Sequence, residues 1–202
     1  MEKLLLGDFN APVEFFYDPP HPPQNEVPSS LRLVKGSSSW NLEVKYISNF
    51  KDVNEEMKKK YPTIDTPLKI PLPTTEEERE EVRKQIEHNA AVRAQRKEES
   101  LALYKADALL FSISNQFAEQ LYEKMVWLIV NFKGKGIPWI GFGGYNVSFR
   151  TIIDDEVWSL WIWCPQRNAL KMDDLCRQII SDARANELNE SKYITVLNSF
   201  AN

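Results

Sequence analysis

The stretch YNVSFRTIIDDEVWSLWIWC, residues 145–164, does most to limit what this chain can fold into. Two runs dense in β-branched and aromatic side chains flank Asp154, Asp155 and Glu156, and a polar turn between two such runs marks a β-hairpin. In the second run Trp158, Leu160 and Ile162 share one parity, while Val157, Trp161 and Trp163 share the other. Both faces are apolar, which predicts a strand that is central in its sheet or covered on both sides. A sheet with that much apolar surface requires helices packed against it.

A further hairpin is predicted over LRLVKG and SSSWNLEVKYI. Trp40, Leu42, Val44 and Tyr46 fall on one face, Asn41, Glu43 and Lys45 on the other, with Gly36 and Ser37 at the turn. Residues 51–60 read as a short polar helix. Thr75 and Glu78 have capping-box spacing, and Glu76 and Glu77 favour the positive helix end, so a charged helix is predicted over 74–100. Its few large apolar residues, Val82, Ile86 and Val92 among them, leave most of its circumference solvated. Leu110, Ile113, Phe117, Leu121, Met125 and Leu128 recur three or four apart, predicting one long central helix. Residues 126–132, VWLIVNF, read equally as its last turn or as a buried strand. Leu175, Ile179 and Ala183 mark a helix over 172–187, and an apolar segment, 193–200, follows it. The expected fold is α+β: two β-hairpins forming an antiparallel sheet packed against a long central helix and C-terminal helices.

Proline divides the rest. Residues 1–30 contain DPPHPP and Pro28 and are expected as a flexible Pro-rich arm, because proline at that density opposes helix and central strand alike. Val13, Phe15 and Phe16 are the arm's apolar exceptions. YPTIDTPLKIPLP, residues 61–73, carries four prolines and is expected as an extended linker. Residues 31–202 then make a single α+β domain.

The segment FKGKGIPWIGFGGY, residues 132–145, holds five of the chain's seven glycines. It is not a phosphate-binding loop: Gly136 and Gly141 have the separation, but Phe142 stands where the lysine belongs, and no third glycine completes a dinucleotide fingerprint. The glycines let the backbone turn while Ile137, Trp139, Ile140 and Phe142 project from it. Such a loop either tucks into its own core, capping it between helix and hairpin, or docks; in the docking reading those four residues are the expected contacts to a protein partner or, with Lys133 and Lys135 beside the indole, to a membrane surface through residues 136–144.

Little else points to chemistry. The 25 basic and 29 acidic residues give a net charge of −4 that no segment reverses, so charge does not favour nucleic acid. Cys164 and Cys176 lack metal-ligand spacing, and no cofactor is implied. His21 sits among prolines and His88 on the charged helix, neither beside a nucleophile. Asp154 and Asp155 read as a turn, Asp173 and Asp174 as the start of a helix. With no secretory leader and no spanning segment, a cytoplasmic or nuclear protein is expected. The arrangement of a proline-rich arm before an α+β domain, with Tyr61-Pro62-Thr63-Ile64 approximating a YPxL-type signal with Ile64 in place of leucine, is similar to that of viral matrix and accessory proteins; no site residue follows from the likeness. The expected function is non-enzymatic protein interaction or assembly, self-association included. One alternative is single-stranded RNA binding, with Trp161 and Trp163 as a stacking platform flanked by Arg150 and Arg167. Another is an enzyme with an acidic site gathered from distant positions.

Overall fold

A computed structural model describes residues 1–8, 11–19, 26–36, 39–64, 75–133 and 144–200. The chain divides into two units, Met1–Ser48 with Ala106–Asn202, and Asn49–Lys105, where a single domain over 31–202 was expected.

Among the described residues the first unit holds every strand: β1 (Val13–Asp18), β2 (Ser29–Lys35), β3 (Trp40–Ile47), β4 (Ala106–Ile113), β5 (Asn146–Ile153) and β6 (Glu156–Trp163). They form one antiparallel sheet in the order β4-β3-β2-β1-β5-β6. The helices in chain order are α1 (Glu2–Leu6), α2 (Phe50–Lys60), α3 (Glu76–Leu103), α4 (Asn115–Asn131), α5 (Arg167–Ala185) and α6 (Glu190–Asn198). One face of the sheet, carrying Phe15, Leu33, Leu42 and Phe149, packs on Phe117 and Leu121 of α4, Ile179 of α5 and Tyr193 of α6. Burying each of these large side chains contributes about 1.5–3 kcal/mol. On the opposite face α1 lies over the sheet, where the Ser30 hydroxyl donates to the Leu5 carbonyl and Arg150 pairs with Glu2. The fold is therefore α+β, with both predicted hairpins present as β2–β3 and β5–β6.

Several expectations are corrected. Residues 1–30 are not simply an arm: they form α1 and β1, and β2 begins at Ser29. The prolines at 19–23 follow β1, so the strand itself needs no proline amide, and Val13, Phe15 and Tyr17 fill the inner face between β2 and β5. His21 lies outside the described residues. The predicted central helix begins only at Asn115. Ser114 accepts from the Phe117 amide as its N-cap, and the residues before it, ADALLFSI, run as β4 with Leu110 64% exposed. A spacing of three between Leu110 and Ile113 imitates a helical stripe although the two face opposite sides of a strand. From Phe117 to Leu128 the stripe is buried as predicted, and the ambiguous residues remain helical to Asn131.

The second unit pairs α2 with α3. The capping box closes as the sequence indicates, with the Glu78 amide donating to Thr75 Oγ1 at 3.2 Å and the Thr75 amide to Glu78 Oε2 at 3.3 Å. Along α3, Asn89 exchanges two hydrogen bonds of 2.9 Å with the backbone of Ile64, and Arg96 donates to the Tyr61 carbonyl. Seven residues of helix rise about 10.5 Å, close to the span of three extended residues, so the spacing of Asn89 and Arg96 matches that of Ile64 and Tyr61. Residues 65–74, most of the predicted linker, lie outside the described residues.

Candidate functional site

The most unusual surface lies along β6. The strand pairs with β5 in unbroken register from Asn146↔Trp163 to Ile153↔Glu156 and, among the described residues, no strand pairs with its other side, so it is an edge where its apolar faces predict a strand that is central or covered on both sides. Asp154 and Asp155, at φ 49° and 63°, make the tight left-handed turn that a two-residue hairpin requires. Trp161 is 64% exposed, Val157 57% and Trp158 43%. Leu160 and Ile162 reach the inner core, and Trp163 is held in place by Gly144, whose φ is +146° and where an added Cβ would stand 2.6 Å from the indole. Large apolar side chains therefore lie in solvent on both faces of a strand that, among the described residues, has no strand beside its outer backbone edge.

Inward from that edge the outer face turns ionic. Ser159, Arg150, Glu14, Arg32, Glu43 and Leu110 stand directly opposite one another across all six strands. Glu14, fully buried, receives Arg32 Nε at 3.1 Å and lies 3.6 Å from Arg150; Arg32 also meets Glu43 at 3.1 Å. Alternating signs in register neutralise the row.

A second polar cluster joins α5 to the sheet. The helix starts at Arg167, so Asp173 and Asp174 lie within it and do not cap it. Asp173 is buried; it accepts from the Tyr145 hydroxyl at 2.6 Å and from Arg177 Nε at 3.1 Å. Arg177 further meets Asp174 at 2.9 Å and Glu26 at 3.4 Å, with its guanidinium over the rings of Tyr17 and Tyr145. Burial pushes the Asp173 carboxyl above its ordinary range against the pull of Tyr145 and Arg177, and burial together with the neighbouring carboxylates raises Tyr145 and Tyr17. Both Asp173 oxygens are engaged within the protein, which fastens α5 to Tyr145 at the start of the β5 hairpin. A cleft of about 490 Å³ opens beside it, where Glu26 and Asp174 face Arg177 and Arg184; the opposed charges give it no net attraction for an ion.

The predicted contacts Ile137, Trp139, Ile140 and Phe142 lie outside the described residues, as does most of the loop 136–144 proposed to meet a membrane. Of the stacking set, Trp161 is exposed and Trp163 half-buried on the same face of β6; Arg150 is engaged by Glu2 and Glu14, and Arg167 is exposed at the first position of α5 with φ 54°. The sequence reading missed the ionic row and the Asp173 cluster. The alternation Val13, Phe15, Tyr17 around Glu14 was the signal for the first; the second joins Tyr17 of β1, Tyr145 just before β5 and Asp173 and Arg177 of α5, and leaves no local pattern. Among the described residues no group of three or more His, Cys, Asp or Glu could hold a metal ion, and no helix is long and apolar enough to cross a membrane. No family model, no curated protein and no solved structure matches the chain.

Proposed function

We propose that this chain is a non-enzymatic interaction protein that binds polypeptide by adding a strand to β6. The supporting observation is the edge itself: an eight-residue strand in regular register, with Val157, Trp158 and Trp161 exposed. Proteins that stay single usually blunt such edges with lysine, proline or a bulge, and Val157–Trp163 has none of these. Backbone hydrogen bonds would supply affinity, and alternate side chains of the incoming strand would meet the indoles.

Hydrogen exchange tests this reading. Peptides selected from a random displayed library on the immobilised chain should slow the amides of residues 157–163. Selected peptides that protect other segments, or a library that yields none, would count against it. Single-stranded RNA is the rival occupant of the same indoles. Salt-sensitive binding of a fluorescent oligonucleotide that Trp161→Ala abolishes would favour stacking instead.

A further inference from the structure

We infer that the strand added to β6 is β6 of a second copy, joining two six-stranded sheets into one across a twofold axis at Leu160; this rests on the interaction reading above and names its partner. An antiparallel pair related by a twofold axis normal to the sheet keeps each parity on its own face. Centred on Leu160, it places Trp158 of one copy opposite Ile162 of the other, Ser159 opposite Trp161, and Val157 opposite Trp163. All seven residues from Val157 to Trp163 are uncharged and all seven pair, while Glu156 falls outside the apolar stretch, opposite Cys164. Like charges therefore never meet; Leu160 faces its counterpart, Ser159 faces Trp161, and the two remaining kinds of pair, Trp158 with Ile162 and Val157 with Trp163, are aromatic with β-branched, a combination that stabilises neighbouring strands. Ser159 opposite Trp161 leaves room for an indole to lie across the junction. The ionic row ends at Ser159, so the edge brings no uncompensated charge to the interface.

The other free edge fits less well. β4 exposes Ala106, Asp107 and Ala108 over its first half, and Asp107 accepts from the Ser48 hydroxyl. Pairing β6 with β4 of the next copy would put that carboxylate against an apolar strand and would repeat without closing. A closed pair through β6 avoids both. The two exposed indoles of each copy offer on the order of 250 Å² together, roughly 500 Å² over both copies, so even with Val157 and the backbone the interface falls below the ~1,200 Å² of stable specific ones and belongs with weak, transient contacts. A micromolar dimer follows.

Sedimentation of the full chain from low to high micromolar concentration should show a monomer–dimer equilibrium, with the amides of 157–163 exchanging more slowly as concentration rises. Trp161→Lys, at an exposed site, should weaken the dimer at least tenfold while its circular dichroism and thermal midpoint stay close to those of the parent. A chain that remains monomeric overturns the inference, and protection of β6 by the selected peptides would then leave the interaction reading standing. Open-ended growth also overturns it, because a closed β6–β6 pair stops at two copies. So does a dimer whose β6 amides exchange at the monomer rate, a result read on the unmodified chain whether or not the variant folds.

Discussion

β1 and β6 are both rich in aromatic side chains, yet they occupy opposite situations in one sheet. VEFFYD is short and carries Glu14 in its middle, but Val13 through Tyr17 are all buried. EVWSLWIW is longer and more apolar, and no residue of it is fully buried. The difference lies in neighbours. β1 has a strand on each side, α4 packed on one face and α1 on the other, and its glutamate is flanked by Arg32 and Arg150. β6 has one neighbouring strand. Burial is thus set by what surrounds a strand and not by its own hydrophobicity.

Mutations should separate the two strands clearly. Phe15→Ala, in the centre of the inner face, should lower unfolding free energy by about 3–5 kcal/mol in urea titration. A loss below 1 kcal/mol would mean β1 is not the central element described. Glu14→Ala should cost less, about 2 kcal/mol, because it strips one carboxylate from two arginines that retain Glu43 and Glu2.

Asp173, which anchors the cluster at the end of β1, gives a smaller and pH-dependent effect. Burial raises its folded-state pKa, so the native state keeps this proton to higher pH than the unfolded chain. Its stabilising contribution is fully present below the unfolded carboxylate value, about 3.9, and is lost as pH rises through the folded value. The stability of the parent relative to Asp173→Asn should therefore fall across that window when unfolding is followed at successive pH values. The smallest effect belongs to β6: Trp161→Ala should change monomer stability by no more than about 0.5 kcal/mol. A large loss there would show that the indole is needed by the fold and remove the contrast with Phe15.

What could be read in the sequence was what short segments decide by themselves. The Thr75–Glu78 cap, both hairpins and the stripe from Phe117 to Leu128 depend on spacings within one element, and each stands where the pattern puts it. What depends on assembly was misread. Prolines after residue 18 outweighed the alternation in VEFFYD, although a strand is free to end where prolines begin. Two apolar faces on β6 read as centrality because sequence does not tell a covered face from one awaiting cover. Of the site, Trp161 and Trp163 were visible by composition, whereas the partners of Arg150 come from α1 and β1 and no local pattern names them.

The central place of β1 also orders events in time. Pro12 and Thr151, joined through the Thr151 hydroxyl at 2.8 Å, lie 139 residues apart. On a ribosome, β1 to β4 emerge long before β5, so β1 spends that interval as an open edge whose Phe15 lacks the facing Phe149 ring. Closing so long a loop carries a large entropic cost before any contact offsets it, which makes this pairing slow. The helical unit Asn49–Lys105 closes shorter loops, its hydrogen bonds spanning no more than 56 residues, and meets less delay. A nascent chain released before residue 146 would present β1 to solvent, and chaperones that recognise extended apolar segments should bind there in preference to the finished protein's β6.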